Sequence, residues 1–270
     1  MYSPCSPPVH IKNVKRLNIE RLRSSLAPSW RKIFDDLYRV YTPQSPLLLP
    51  GKRFQKYHQC NLTQNDVKRL VENGLIQNID RDDVRGTVLT FSTMERQKNR
   101  RRWIVYPKEQ NALLEQIGCR EMRLVPINDV ILESTFCSCT TLDMEACFHQ
   151  IELLQCIRPY FCFCHETIWY ALATVPTGGI NPPGIAQFIT EYIAGLHEFH
   201  DEIAAPVSST VHIDNIRHGG TKIDVDNATA ETLKRAARID ATVSIEVVAG
   251  VGETDIYLWF PRSGVLHRSH

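Results

Sequence analysis

Leu142-Asp143-Met144-Glu145-Ala146-Cys147-Phe148-His149-Gln150-Ile151 is the stretch whose reading decides the fold. It follows an apolar run with β-branched and aromatic residues, Ser134 to Leu142, which reads as a strand entering the core. An aspartate at the exposed end of such a strand can hold a hard cation by a carboxylate oxygen. Phe148, His149 and Gln150 then turn the chain into a short helix. Taken alone, Asp143 reads as the cap of that helix. A second stretch changes the balance: Val211-His212-Ile213-Asp214-Asn215-Ile216 has apolar residues on both sides of Asp214-Asn215, the pattern of a buried hairpin with a polar tip. Two aspartates on neighbouring strand ends can share two divalent ions, and such a pair stabilises the attacking and leaving oxygens of phosphoryl transfer.

The formal net charge of +1 hides an asymmetry. Residues 1–142 carry 23 Lys and Arg against 14 Asp and Glu, while residues 143–270 carry 8 against 16. The first half suits a polyanion and the second suits cations. A hydrophobic fraction of 43% supports a packed core, which excludes wholesale disorder. No apolar run approaches the length of a membrane-spanning helix. Met1 to Val9 lacks the apolar centre of a signal peptide. Nine cysteines at irregular spacing fit a reducing compartment, so the expected address is cytosol or nucleus. The C-x-C spacings at Cys137, Cys139, Cys162 and Cys164 place alternate thiols on one strand face and read as buried small hydrophobes rather than a zinc site.

Along the chain, residues 1–13 read as a loose tail. Leu17, Leu22, Leu26, Trp30, Ile33, Phe34 and Leu37 recur at helical spacing, broken by Pro28, and Thr42 to Gly51 reads as a linker. Thr63 caps a helix with Asp66 in its first turn and Gly74 at its close. Residues 86–93 and Trp103 to Tyr106 read as paired strands, with Glu95 to Arg102 as a basic tip that is either a solvated turn or a phosphate clamp. Further expectations are a short helix at Pro126–Ile131, strands at Tyr160–Cys164 and Ile168–Leu172, a helix at Ala228–Ile239, and strands at Ala241–Val248 and Ile256–Phe260. Gly250-Val251-Gly252 reads as a turn, because no phosphate-loop lysine follows it.

Val175-Pro176-Thr177-Gly178-Gly179-Ile180-Asn181-Pro182-Pro183-Gly184-Ile185-Ala186-Gln187 is a Gly/Pro turn leading into a helix that tolerates Pro183 in its first turn. Its small residues permit close approach by another backbone or a base.

In this order, the three stretches resemble reverse transcriptases. Leu142 to Ile151 is similar to their motif A, His212-Ile213-Asp214-Asn215 to their Tyr-x-Asp-Asp motif C, and Pro176, Gly178, Pro183 and Gln187 to their motif B. Pro182 stands where motif B usually has Ser, Gly184 where it has Ala, and Asn215 where motif C has its second Asp. The resemblance implies an α+β fold: a palm with a ferredoxin-like antiparallel sheet and helices on one face over 126–262, a fingers portion over 14–125, and short tails at 1–13 and 263–270. It leaves no room for a thumb, which another chain could supply.

The same resemblance implies a retrotransposon-type RNA-directed DNA polymerase, with RNA template, DNA primer and deoxynucleoside triphosphates as partners and Mg²⁺ (or Mn²⁺) as cofactor. Asp143, Asp214 and Asn215 would be catalytic, with Asp143, Asp214 and the Met144 carbonyl on the metals. Lys98, Arg100, Arg102, Ala146, Cys147, Phe148, Thr177, Gly178 and Gln187 would bind the nucleotide, Phe148 as the steric gate against a 2′-hydroxyl. That aromatic disfavours an RNA polymerase. Asn215 keeps an oxygen ligand but loses a charge, so a degenerate or domesticated fragment that binds nucleic acid or protein without catalysis is the alternative.

Overall fold

The computed structural model describes residues 7–48, 60–116, 138–197 and 207–249. The helix expected at 126–131, the strand at 256–260, the turn at 250–252 and the tail at 263–270 lie outside the described residues. In chain order the elements are α1 (Ile19–Ser25), α2 (Pro28–Tyr38), α3 (Gln64–Glu72), β1 (Ile76–Asn78), β2 (Leu89–Glu95), β3 (Arg100–Tyr106) and α4 (Lys108–Gln116). They continue with β4 (Ser138–Met144), α5 (Cys147–Gln150), β5 (Cys162–His165), β6 (Ile168–Leu172), α6 (Pro182–Ala194), β7 (Ser208–His212), β8 (Asn215–Gly220), α7 (Lys222–Arg238) and β9 (Val243–Ala249). Contacts divide the chain into two units, one of residues 1–123 and 146–186, the other of 124–145 and 187–270. Residues 146–186 thus group with the N-terminal part.

In the first unit, Pro28 begins α2 rather than merely ending α1, because its fixed φ suits the first helical position and its missing N–H costs nothing there. Thr63 and Asp66 form a reciprocal capping box at the start of α3. Gly74, at φ +64°, ends α3 in a left-handed turn whose bonds run Gly74 N–H to the Val71 carbonyl and Leu75 N–H to the Leu70 carbonyl. β1, β6 and β5 form an antiparallel sheet in that order, and β2 pairs with β3 from Leu89↔Tyr106 to Glu95↔Arg100.

Two expectations need correction here. The basic tip is shorter than the sequence suggested: Arg100, Arg101 and Arg102 belong to β3, with Arg96–Lys98 and Asn99 (φ +44°) making the turn. Strand alternation separates the three arginines. Arg101 is 1% exposed and bidentate on the fully buried Asp66, at 2.6 and 2.7 Å, while Arg100 and Arg102 point away. The tail is not loose throughout, either. Val9 is fully buried, its N–H donates to Asp66 Oδ1 at 2.9 Å, and its carbonyl accepts from Arg69 at 2.7 Å. It runs parallel to β3 at Arg101, whose Nε donates to the Pro7 carbonyl. Burial alone would raise the Asp66 pKa, but the Val9 and Thr63 N–H groups and the Arg101 guanidinium outweigh it and hold the carboxyl below its ordinary value.

The second unit is built as β4-α6-β7-β8-α7-β9, with an antiparallel sheet in the order β7-β8-β4-β9. This is the split βαβ arrangement of a ferredoxin-like fold. One face carries Leu142, Met144, Val211, Ile216 and His218, all buried. Both helices lie on it: Thr190 of α6 reaches the Met144 sulfur at 3.7 Å, and Thr232 of α7 reaches His218 Nε2 at 2.8 Å. His218 Nδ1 meets Ser209 Oγ at 2.8 Å, and its burial lowers its pKa to about 4. Helix α7 starts six residues before the expected Ala228, capped by Thr221, whose hydroxyl accepts from the Asp224 N–H at 3.3 Å.

Candidate functional site

Asp143 lies within β4, not at its tip, so it has a neighbour on each side: Asn215 on β8 and Ser244 on β9. Its side chain falls on the sheet face opposite the helices, since Leu142 and Met144 occupy the helix face. β7 and β8 close over a two-residue turn, Ile213-Asp214, between the paired His212 and Asn215. The Met144 N–H donates to the Asp214 carbonyl at 2.7 Å, which ties the turn to the end of β4. Directly opposed residues of an antiparallel pair have Cβ atoms about 5 Å apart. Asp143 therefore faces Asn215 across the strand pair, with Asp214 next along the chain. A bulge on β9, where Glu246 is the extra residue, bends the edge strand beside this point.

The turn itself is strained. Ile213 sits at φ +58°, a region that β-branched residues avoid. Such a conformation persists only when its surroundings over-determine it. Gln187 of α6 does so: its Oε1 accepts from the Ile213 N–H at 2.6 Å, and its Nε2 reaches the Val211 carbonyl at 3.3 Å. Ala146, three residues after Asp143, is also left-handed, at φ +45°. Asn215 Nδ2 donates to Asp214 Oδ1 at 3.0 Å. The donors at this spot are oxygens, from two carboxylates and an amide, a set that suits hard divalent cations rather than soft ones. Among the described residues no group of three or more His, Cys, Asp or Glu is placed to hold a metal ion, so the two carboxylates would need oxygen partners from backbone or substrate.

The fold, though not the site, can be compared with solved structures. Over 92% of its length the chain is similar to the foamy viral protease-reverse transcriptase in complex with double-stranded DNA, with a TM-score of 0.59 and 13% identity. The native prototype foamy virus protease-reverse transcriptase matches 89% of the chain at 0.57 and 14%. The fold is reverse-transcriptase-like. The chain spans 46% and 34% of the lengths of those two proteins, less than half of either. Neither a protein-family model nor a curated protein matches the sequence.

On this fold the remaining predicted residues lie in the first unit, distributed along β3. At the hairpin tip Lys98 is exposed, Arg100 is paired with Glu95, and Arg102 is 64% exposed at 3.6 Å from the same carboxylate. The Arg100 hydrogen bond, with help from the Arg102 charge, holds the Glu95 carboxyl below its ordinary pKa. Midway along β3, Trp103 packs against the ring of His149 at 6.0 Å, the residue after Phe148. Burial lowers the His149 pKa to about 4, with Arg16 adding to the effect. Phe148 is half-buried, whereas Cys147 is buried.

At the far end of β3, the Val105 N–H donates to Thr177 Oγ1 at 3.1 Å and the Gly178 N–H to the Val105 carbonyl at 2.8 Å. A Cβ on Gly178 would lie 2.7 Å from that carbonyl, so only glycine permits the contact. Asn111 of α4 locks the same turn, donating to the Gly178 carbonyl at 2.9 Å and accepting from the Ile180 N–H at 3.2 Å. The resemblance singles out Asn111 as the end of the segment that begins at Arg102, and the structure places it, buried, against this turn. A separate cleft of about 550 Å³ in this unit, lined by Gln77, Asp80, Arg85, Arg158 and Tyr160 among others, contains none of the predicted residues. Arg158 there is already held by Gln77 and Glu152. Among the described residues no helix is long and apolar enough to cross a membrane.

Proposed function

We propose that the chain is the nucleotide-adding part of an RNA-directed DNA polymerase of the retrotransposon kind, with the second unit as palm and the β2–β3 hairpin as part of the fingers. The observation that carries this reading is the pairing of Asp143 with the Asp214-Asn215 hairpin on the face of a ferredoxin-like sheet opposite its helices. Asp143, Asp214 and the Met144 carbonyl would hold Mg²⁺ or Mn²⁺, which when bound lowers the cost of charge on the reacting oxygens. The primer 3′-oxygen forms the new bond to the α-phosphorus, the bond to the bridging oxygen breaks, pyrophosphate leaves, and the hydroxyl proton passes to solvent. Lys98 and Arg102 are exposed cations that suit a triphosphate, whereas Arg100 is engaged by Glu95. The polyanion partner fits the positive first half of the chain and agrees with the duplex bound by the foamy viral protein.

One observation favours the non-catalytic alternative. The Asn215 amide hydrogen occupies an oxygen of Asp214 that a metal would use, and Asn215 supplies no charge of its own. Extension of a DNA primer on an RNA template, with deoxynucleotides and then ribonucleotides, tests both readings together. The polymerase reading expects deoxynucleotide addition by the wild type and relaxed sugar choice in Phe148→Ala. Absence of extension by a folded protein that binds the duplex would support the alternative.

A further inference from the structure

Buried glutamines raise a question of polarity, because the two ends of the amide have nearly the same shape and opposite hydrogen-bonding roles. Gln187 is 2% exposed and must present its oxygen, not its nitrogen, to the Ile213 N–H. One helical turn on, Glu191 Oε1 lies 2.7 Å from Gln187 Nε2. An ionised carboxylate only accepts, so it draws the NH₂ group to its side and turns the carbonyl oxygen toward Ile213. The Val211 carbonyl works in the same sense from 3.3 Å, a longer and uncharged contact.

Glu191 is held in turn. Its second oxygen lies 3.3 Å from His197 Nε2, which donates to it. The His197 side chain is 3% exposed, and its ring lies 4.3 Å from that of Phe188. His197 reaches back to α6 because the helix ends in a left-handed turn at Gly195 (φ +88°), with the Leu196 N–H on the Glu191 carbonyl and the Gly195 N–H on the Tyr192 carbonyl. The positive φ favours glycine at 195, and a Cβ there would lie 2.8 Å from the Arg235 guanidinium, which would have to shift. All of these residues belong to the second unit.

We infer that Glu191 and His197 are positioning residues that fix the orientation of Gln187 and so hold the strained Asp214 turn in shape. The inference rests on the polymerase reading only for its kinetic consequence. A Gln at 191 can turn either end toward Gln187, and an Ala offers no acceptor at all; His197→Phe keeps the packing on Phe188 and removes the donor.

The test measures two quantities on the wild type, Glu191→Gln, Glu191→Ala and His197→Phe: hydrogen exchange at the Ile213 amide, and kcat and KM for deoxynucleotide addition. Loss of one charge-assisted hydrogen bond predicts roughly tenfold faster exchange and roughly tenfold lower kcat with little change in KM. The effect should be absent when Gln187→Met is already in place, since coupled residues are not additive. Faster exchange without extension by any protein would sustain the inference and remove the polymerase reading. Unchanged exchange in Glu191→Ala overturns the inference, whatever the activity. So does a loss that adds in full to that of Gln187→Met, which would mark a merely structural part.

Discussion

The β2–β3 and β7–β8 hairpins use the same backbone device in opposite ways. Each has a left-handed residue in its turn: Asn99 at φ +44° in the first and Ile213 at φ +58° in the second. Asparagine enters that region readily, and the β2–β3 tip holds itself together with its own side chains, Glu95 against Arg100 and Arg102. Isoleucine resists it, and the β7–β8 turn is held from another element by Gln187. Both hairpins have a buried polar anchor as well. Arg101 of β3 is charged and paired with Asp66, whereas His218 of β8 is held between Ser209 and Thr232 at lowered pKa. A turn that suits its residues needs no support from elsewhere, and one that does not is held by another element, here by Gln187.

Breaking the charged anchor gives the largest effect. Asp66→Ala leaves the Arg101 guanidinium buried without its partner and removes the capping box of α3, so unfolding free energy should fall by about 3–5 kcal/mol in urea titrations. A loss below about 1 kcal/mol would mean that water reaches Arg101.

Acid separates the two anchors. His218 has a folded pKa of about 4 against roughly 6.5 unfolded, so its contribution is complete above about pH 6.5 and is lost as pH falls toward 4. Its full size is about 3 kcal/mol. Asp66 has a lowered folded pKa, so its contribution persists until pH falls below the ordinary value of about 3.9. The β7–β8 hairpin should loosen first, as read by amide exchange at Ile216 and Gly219. His149 has the same sign and range in the first unit, so His218→Gln should remove only part of the global slope. An unchanged slope would sink the neutral-anchor argument.

Glycine probes the turns themselves. Ile213→Gly should relieve a strain of order 1–3 kcal/mol and recover about 1 kcal/mol after the added flexibility of the unfolded chain. Asn99→Gly should change stability by only a few tenths of a kcal/mol. Equal responses at the two positions would erase the distinction between them.

The residues that were legible in the sequence are those whose structure is decided locally. Thr63, Asp66 and Gly74 marked both ends of α3, and the alternation around Asp214 marked its hairpin. The start of β3 was hidden because Arg100, Arg101 and Arg102 share one residue type, so the alternation of exposed and buried positions left no trace in composition. Burial of Val9 depends on Asp66 and Arg69, far along the chain, and a Pro-rich tail gives no hint of it. At the candidate site, motif order located Asp143, Asp214 and Gln187. The support behind Gln187 was not readable, because His197 comes back to Glu191 only through the turn at Gly195. A glycine closing an apolar helical run was the available signal.

The most direct test of the central claim is the rate of deoxynucleotide addition to a primer by three proteins: wild type, Asp143→Ala and Asn215→Asp. The account predicts addition by the wild type, none by Asp143→Ala, and a higher rate in Asn215→Asp, where a charge replaces the amide that now donates to Asp214. Equal rates in all three would contradict the roles assigned to the row Asp143, Asp214 and Asn215.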